Sequence, residues 1–153
     1  MTLMLLLALV QQPTHNHHAD VNRRGDMVMG FSHEKTTHHF RLRPNGGEIE
    51  VTAKGAADAE SAAQIRAHLT HIAQMFGQGN FTAPMLIHAK NPRGTDVMTR
   101  LRADIAYRLE PLPFGARVRI NTGNPEALEA IHAFLRFQIT DHRTGDPLTI
   151  QKE

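Results

Sequence analysis

The sequence predicts an α+β fold: an antiparallel sheet built from two strand–strand–helix pseudo-repeats, with helices packed on one face. Three observations carry this. Two stretches alternate apolar and polar residues around turn chemistry. Each is followed by a segment of helical apolar spacing behind a capping residue. The two helical segments share a pattern, IRAHL at 65–69 and IHAFL at 131–135.

In the first unit His38, Phe40 and Leu42 alternate with Thr37, His39, Arg41 and Arg43, the two-residue period of a strand. PNGG, from Pro44 to Gly47, is turn chemistry, and EIEVTA returns with Ile49 and Val51 inward. Asp58 then caps a helix expected to reach Phe76, with Gly77 ending it. In the second unit DIAYRLE puts Ile105, Tyr107 and Leu109 on one face, PLPFG turns, and ARVRINT returns with Val118 and Ile120 inward. Asn124 as cap and Pro125 at the first helical position open a helix to about Ile139. This alignment sets Phe40 and Leu42 against Tyr107 and Leu109, and His38 against Ile105. Between the units, Pro84 to His88 reads as a short strand and Thr95 to Arg102 as a short helix. The whole is expected to be one domain over about 23–150, with repeats at about 36–77 and 103–140.

The 153 residues suffice for one sizeable core. Hydrophobic residues at 41% and charged residues at 21% place the chain among ordinary globular domains. Lys and Arg are interspersed with Asp and Glu and the formal charge is only +2, which argues against nucleic acid as a partner. No cysteine is present, which excludes disulfides, thiolate zinc sites, iron–sulfur clusters and thiol nucleophiles. The apolar run Leu3–Val10 falls short of the roughly 20 residues that span a bilayer. It has the length of a signal-peptide core, although no Lys or Arg precedes it, so export to the periplasm or beyond is expected. The mature chain would begin near Gln11, with a flexible polar tail to about Asn22 that carries His15, His17 and His18.

Eleven histidines are the chain's outstanding compositional feature. Strand alternation points His38 into the core and His39 outward, with His33 in the preceding loop. On the first helix His68, His71 and Met75 share a stripe at i, i+3 and i+7; the second helix carries Phe134, Phe137 and Asp141 at the matching places. His88 ends the segment between the units. A metal site of His38, His68, His71, Met75 and His88 is therefore expected between helix and sheet, with His33 and His39 as a second tier. Imidazole with thioether favours copper, with zinc or haem behind it. Met27 and Met29 are expected to pack, His132 to lie on an outer face, and His142 to lie at the surface or complement the helix dipole.

The segments MGFSHEKTTHHF, IRAHLTHIAQMF and AIHAFLRFQITDHRTGDP resemble a family of small exported bacterial proteins, over about Val21 to Leu148. Members often carry the label aspartate carbamoyltransferase. The resemblance implies a single exported domain. The residues do not fit the label: the Ser-Thr-Arg-Thr phosphate motif of that enzyme's catalytic chain is absent, and the four-cysteine zinc site of its regulatory chain cannot form. No catalytic residue carries over.

Three functions follow as expectations: an exported metal-binding protein, a metal-free enzyme using His38 or His68 as general base, or a ligand-binding or structural module with buried histidines. A homodimer is compatible with each. Neither a Gly-x-Ser-x-Gly elbow, a phosphate loop nor a His-Glu-x-x-His motif is present.

Overall fold

Each half of the chain forms a hairpin followed by a long helix. A computed structural model describes residues 16–152. In chain order the elements are α1 (His17–Met29), a 3₁₀ turn (His33–Lys35), β1 (Thr36–Arg43), β2 (Gly46–Ala53), α2 (Ala59–Gly77), α3 (Thr82–His88), α4 (Thr95–Arg100), a second 3₁₀ turn (Arg102–Asp104), β3 (Ile105–Leu112), β4 (Gly115–Thr122) and α5 (Pro125–His142). The caps do what their residue types dictate. The Asp58 side chain accepts from Ser61 N–H, and Asn124 accepts from the N–H groups of Glu126 and Ala127.

The four strands form one antiparallel sheet in the order β1-β2-β4-β3. The two hairpins are equivalent, and their register fixes the internal alignment. Thr36 opposes Ala53 as Ile105 opposes Thr122, and Arg43 opposes Gly46 as Leu112 opposes Gly115. His38 therefore corresponds to Tyr107, and Phe40 to Leu109. The expected pairing of His38 with Ile105 is two residues out, which preserves the face but changes the partner. Central strands β2 and β4 approach closely. A Cβ on Gly46 would sit 1.8 Å from the Ile120 carbonyl oxygen, and one on Gly115 would sit 2.0 Å from that of Val51. Glycine at both places is required by backbone proximity.

One face of the sheet carries the core. Phe40, Leu42, Ile49, Val51, Val118 and Ile120 meet Ile65, Leu69, Ile72 and Phe76 of α2 and Ile131, Phe134, Leu135 and Ile139 of α5. The helices cross over: α2 lies chiefly on the hairpin β3–β4, and α5 covers β1 and β2. The opposite face is a lattice of arginines and glutamates, with Glu48 only 1% exposed. Among the described residues no helix is long and apolar enough to cross a membrane.

Several expectations are corrected. Pro84–His88 belongs to helix α3, not a strand: a run of five apolar-rich residues has no period that separates the two, and Phe81 and Ala83 packing into the core selects the helix. The polar segment expected as a tail enters α1 at His17, capped by the Asn16 side chain and anchored by buried Val21. Met27 is 71% exposed, whereas Met29 packs against the core as expected. His132 is buried and its Nε2–H donates to the carbonyls of Arg43 (2.9 Å) and Gly46 (3.0 Å), so it lies on no outer face. The expected signal segment Leu3–Val10, the start near Gln11 and the part of the expected tail that carries His15 lie outside the described residues.

Candidate functional site

Four elements converge on the first half of β1. Helix α1 ends at Gly30, whose φ of 77° is the left-handed conformation that glycine takes without cost. That reversal drops Phe31 into the core and brings His33 beneath Asp26. The Asp26 carboxylate accepts from His33 N–H at 2.7 Å and lies 2.9 Å from the ring Nδ1 through either oxygen. Beyond the 3₁₀ turn, β1 alternation sends His38 inward and His39 outward, where Asp146 of the C-terminal segment takes its Nδ1 at 2.8 Å.

Inside, the rings form a stack. His38 lies between Phe31 (centroids 6.1 Å apart, 24° between planes) and His142 (6.1 Å, 4°). His142 also stacks on Phe40 at 5.7 Å and meets the edge of His88 at 4.8 Å. His68 from α2 touches Phe31 edge-on at 5.6 Å. Four imidazoles therefore surround an aromatic centre.

Burial decides their charge. It pushes His38 and His68 down to about 4 and His142 down to about 3, with neighbouring imidazoles adding to the effect. His142 occupies the last turn of α5, where the helix dipole favours a cation, yet desolvation outweighs the dipole. The expected surface position is corrected: α5 continues to His142, which carries the ring inward over Phe40. His88 is pushed down by burial against the opposing pull of Asp141 and Gln138. A neutral His88 donates from Nδ1 to Asp141 (2.5 Å), and its Nε2, 3.0 Å from the Gln138 amide oxygen, then needs a donor. Turning that amide supplies one and explains the otherwise unpartnered Gln138 nitrogen. Burial raises Asp141, but hydrogen bonds with His88 and His17 win and hold it at about 2.

Two spaces meet at His38. An apolar cavity of about 60 Å³ lies between sheet and helices, lined by Phe40, Ile49, Leu69, Ile72 and Phe76. A polar cleft of about 280 Å³ lies under α1, lined by His18, Asn22, His33, Thr37, Lys54 and Arg143. Met29, His38 and His142 border both. The Nε2 of His38 and the Nδ1 of His18 are buried without a hydrogen-bond partner.

The expected ligand set is only partly assembled. His38 and His68 both line the inner cavity. His88 is near His142 but committed to Asp141 and Gln138. His71 is exposed, and Met75 packs against the core. Among the described residues no three His, Asp or Glu side chains are placed to hold one metal ion together. The sequence reading missed His18 and His142 as members of the site. His142 stands next to Asp141, which matches Met75 of the first helix, and that proximity was the available signal. Searches of protein-family models, characterised proteins and solved structures find no match to this chain.

Proposed function

We propose that the protein binds a small organic molecule in the joined cavity and cleft, with His38 making its central polar contact. The observation that carries this is the buried, unpartnered Nε2 of His38 at the border of an apolar and a polar space. An unsatisfied buried donor or acceptor costs roughly 1–3 kcal/mol. A ligand that supplies the missing partner recovers that energy. Cavity and cleft together have the volume of a small-molecule site, about 300 Å³ or more. The neutral ring fits either a hydrogen bond to the ligand or proton transfer with it. The Asp26–His33 pair bordering the cleft has the orientation of a carboxylate-held general base. Catalysis on the bound molecule is compatible with this arrangement, and binding is the common requirement.

The test is a titration of isotope-labelled protein with small acids, alcohols and amides, read by amide and imidazole NMR shifts. Shifts centred on His38, His142 and Phe31, lost in His38→Phe with the fold intact, are the expected result. If His38→Phe raises stability and no small molecule perturbs these residues in the parent protein, His38 is a structural residue and the proposal fails.

A further inference from the structure

We infer that the ligand class of this site is a carboxylate on a short aliphatic chain, its chain in the inner cavity and its head group in the outer cleft. The inference rests on the pocket proposed above and names what fills it. The two compartments differ in chemistry. The lining of the inner one has no Lys, Arg, Asp or Glu. At about 60 Å³ it is less than half the roughly 150 Å³ that holds a benzene ring, so it takes the end of a thin, flexible aliphatic arm, whose remainder lies along the border with the cleft, and not a rigid ring.

The outer cleft offers donors and positive charge. The fully charged side chains lining it are Lys54 and Arg143, both cationic, beside Asn22, Thr37 and Thr144. The Lys54 Nζ donates to the Glu34 backbone carbonyl at 2.8 Å, a neutral partner that supplies no counter-charge. Arg143 is exposed just past the end of α5, with a φ of 54°. The nearby carboxylates are turned to other partners. Asp26 holds His33, and Asp146 accepts from Phe40 N–H (3.0 Å) and the Thr144 hydroxyl (2.7 Å) while pairing with His39. A cationic head group would find no acid facing it. An anionic one finds two cations and, at the threshold, His38, whose Nε2–H tautomer donates to a carboxylate oxygen.

The test compares hexanoate, hexanamide, acetate and sulfate on the full chain by calorimetry at neutral pH and low salt. Hexanoate is expected to bind at least tenfold tighter than hexanamide. The double variant Lys54→Gln/Arg143→Gln should abolish that tenfold preference and leave hexanamide within twofold of its parent affinity. Circular dichroism of the variant guards against misfolding. Equal binding of hexanamide and hexanoate to the parent protein overturns the anion assignment and leaves the pocket reading standing. Acetate or sulfate binding as tightly as hexanoate makes the site a bare anion site and overturns the amphiphile. Silence of all four probes, with no fragment shifting His38, overturns both readings.

Discussion

Arg66 and His132 occupy the same place in the two units and perform the same task by different chemistry. Each follows the first isoleucine of the shared helical pattern, and each reaches the turn of the opposite unit's hairpin. Arg66 donates from Nε to the Gly115 carbonyl (3.1 Å) and from a terminal nitrogen to that of Leu112 (2.8 Å). His132 donates to the carbonyls of Gly46 and Arg43, the structural equivalents of those two residues. The crossed helices are thus fastened to the sheet at both ends of the internal symmetry.

That relationship predicts two matched losses. Arg66→Ala removes a guanidinium and leaves the hairpin carbonyls of Leu112, Pro113 and Gly115 to water, at a cost of about 1–2 kcal/mol. His132→Ala empties a buried space as well and should cost about 2–4 kcal/mol. Urea unfolding measures both. The residues share no partner, so the double variant should lose nearly the sum of the two. A neutral His132→Ala would show that the hairpin turn does not depend on this contact.

The hairpins, caps and long helices were legible because each rests on local chemistry: alternation in β1 and β4, Asp58 and Asn124 as caps, and Asn45 with its glycines at the turn. The internal repeat was legible in outline, but its register was not. Matching Phe40 to Tyr107 by aromatic character shifts the alignment by two residues, and only the pairing of the strands corrects it. Helix α1 was hidden because Asn16 to Asp26 has little apolar periodicity; tertiary contacts of Val21 and Met29 hold it in place. The site was half legible. His38 followed from alternation, whereas His18 and His142 depend on how α1 and the end of α5 meet, which no local pattern encodes.

The internal symmetry also supplies a substitution. His68 matches Phe134, lines the inner cavity, and stands edge-on to Phe31. Its ring is neutral near pH 7, and it is half-buried, with neither nitrogen among the buried polar atoms that lack a partner. His68→Phe should be neutral or stabilising by about 0.5–2 kcal/mol, through added apolar burial. Thermal unfolding reads this directly. A loss above about 2 kcal/mol would mean that His68 holds a polar partner through its imidazole.

Stability should fall as the medium is acidified through the range in which histidines of the unfolded chain titrate. Unfolded imidazoles take up protons near pH 6.5. His38 and His68 in the folded state resist until about 4, and His142 until about 3. Their stabilising contribution is therefore complete above pH 6.5 and is lost as the pH falls towards 4. At about 1.4 kcal/mol for each unit of separation, the three together make the loss several kcal/mol. Asp141, held at about 2, adds its own loss only at still lower pH. Urea unfolding at pH 7 and pH 5 should show the decline, and His142→Phe should make it shallower. An unchanged midpoint between those two pH values would contradict the burial of neutral rings.

The outer sheet face makes the last prediction. Glu48 is almost fully enclosed, with Arg43 and Arg119 at 3.1 Å, Arg41 at 3.7 Å and Arg117 at 3.8 Å. Beside it Glu50 is held below its ordinary pKa: burial opposes this, and hydrogen bonds from Arg117 and Arg41 prevail. Removing this carboxylate leaves four crowded guanidinium groups to two remaining carboxylates, Glu50 and Glu110. Glu48→Gln should therefore cost about 3–5 kcal/mol, the range for breaking a buried pair from one side. Salt distinguishes the cause. At about 1 M salt the Debye length shrinks to about 3 Å, so repulsion among the half-buried arginines is screened and the deficit should narrow. Adding Arg43→Gln to Glu48→Gln should restore part of the loss, because among the described residues Arg43 pairs with no carboxylate other than Glu48. If the deficit is the same in low and high salt and the second substitution only adds to it, the carboxylate matters for packing and hydrogen bonding, and not for charge balance.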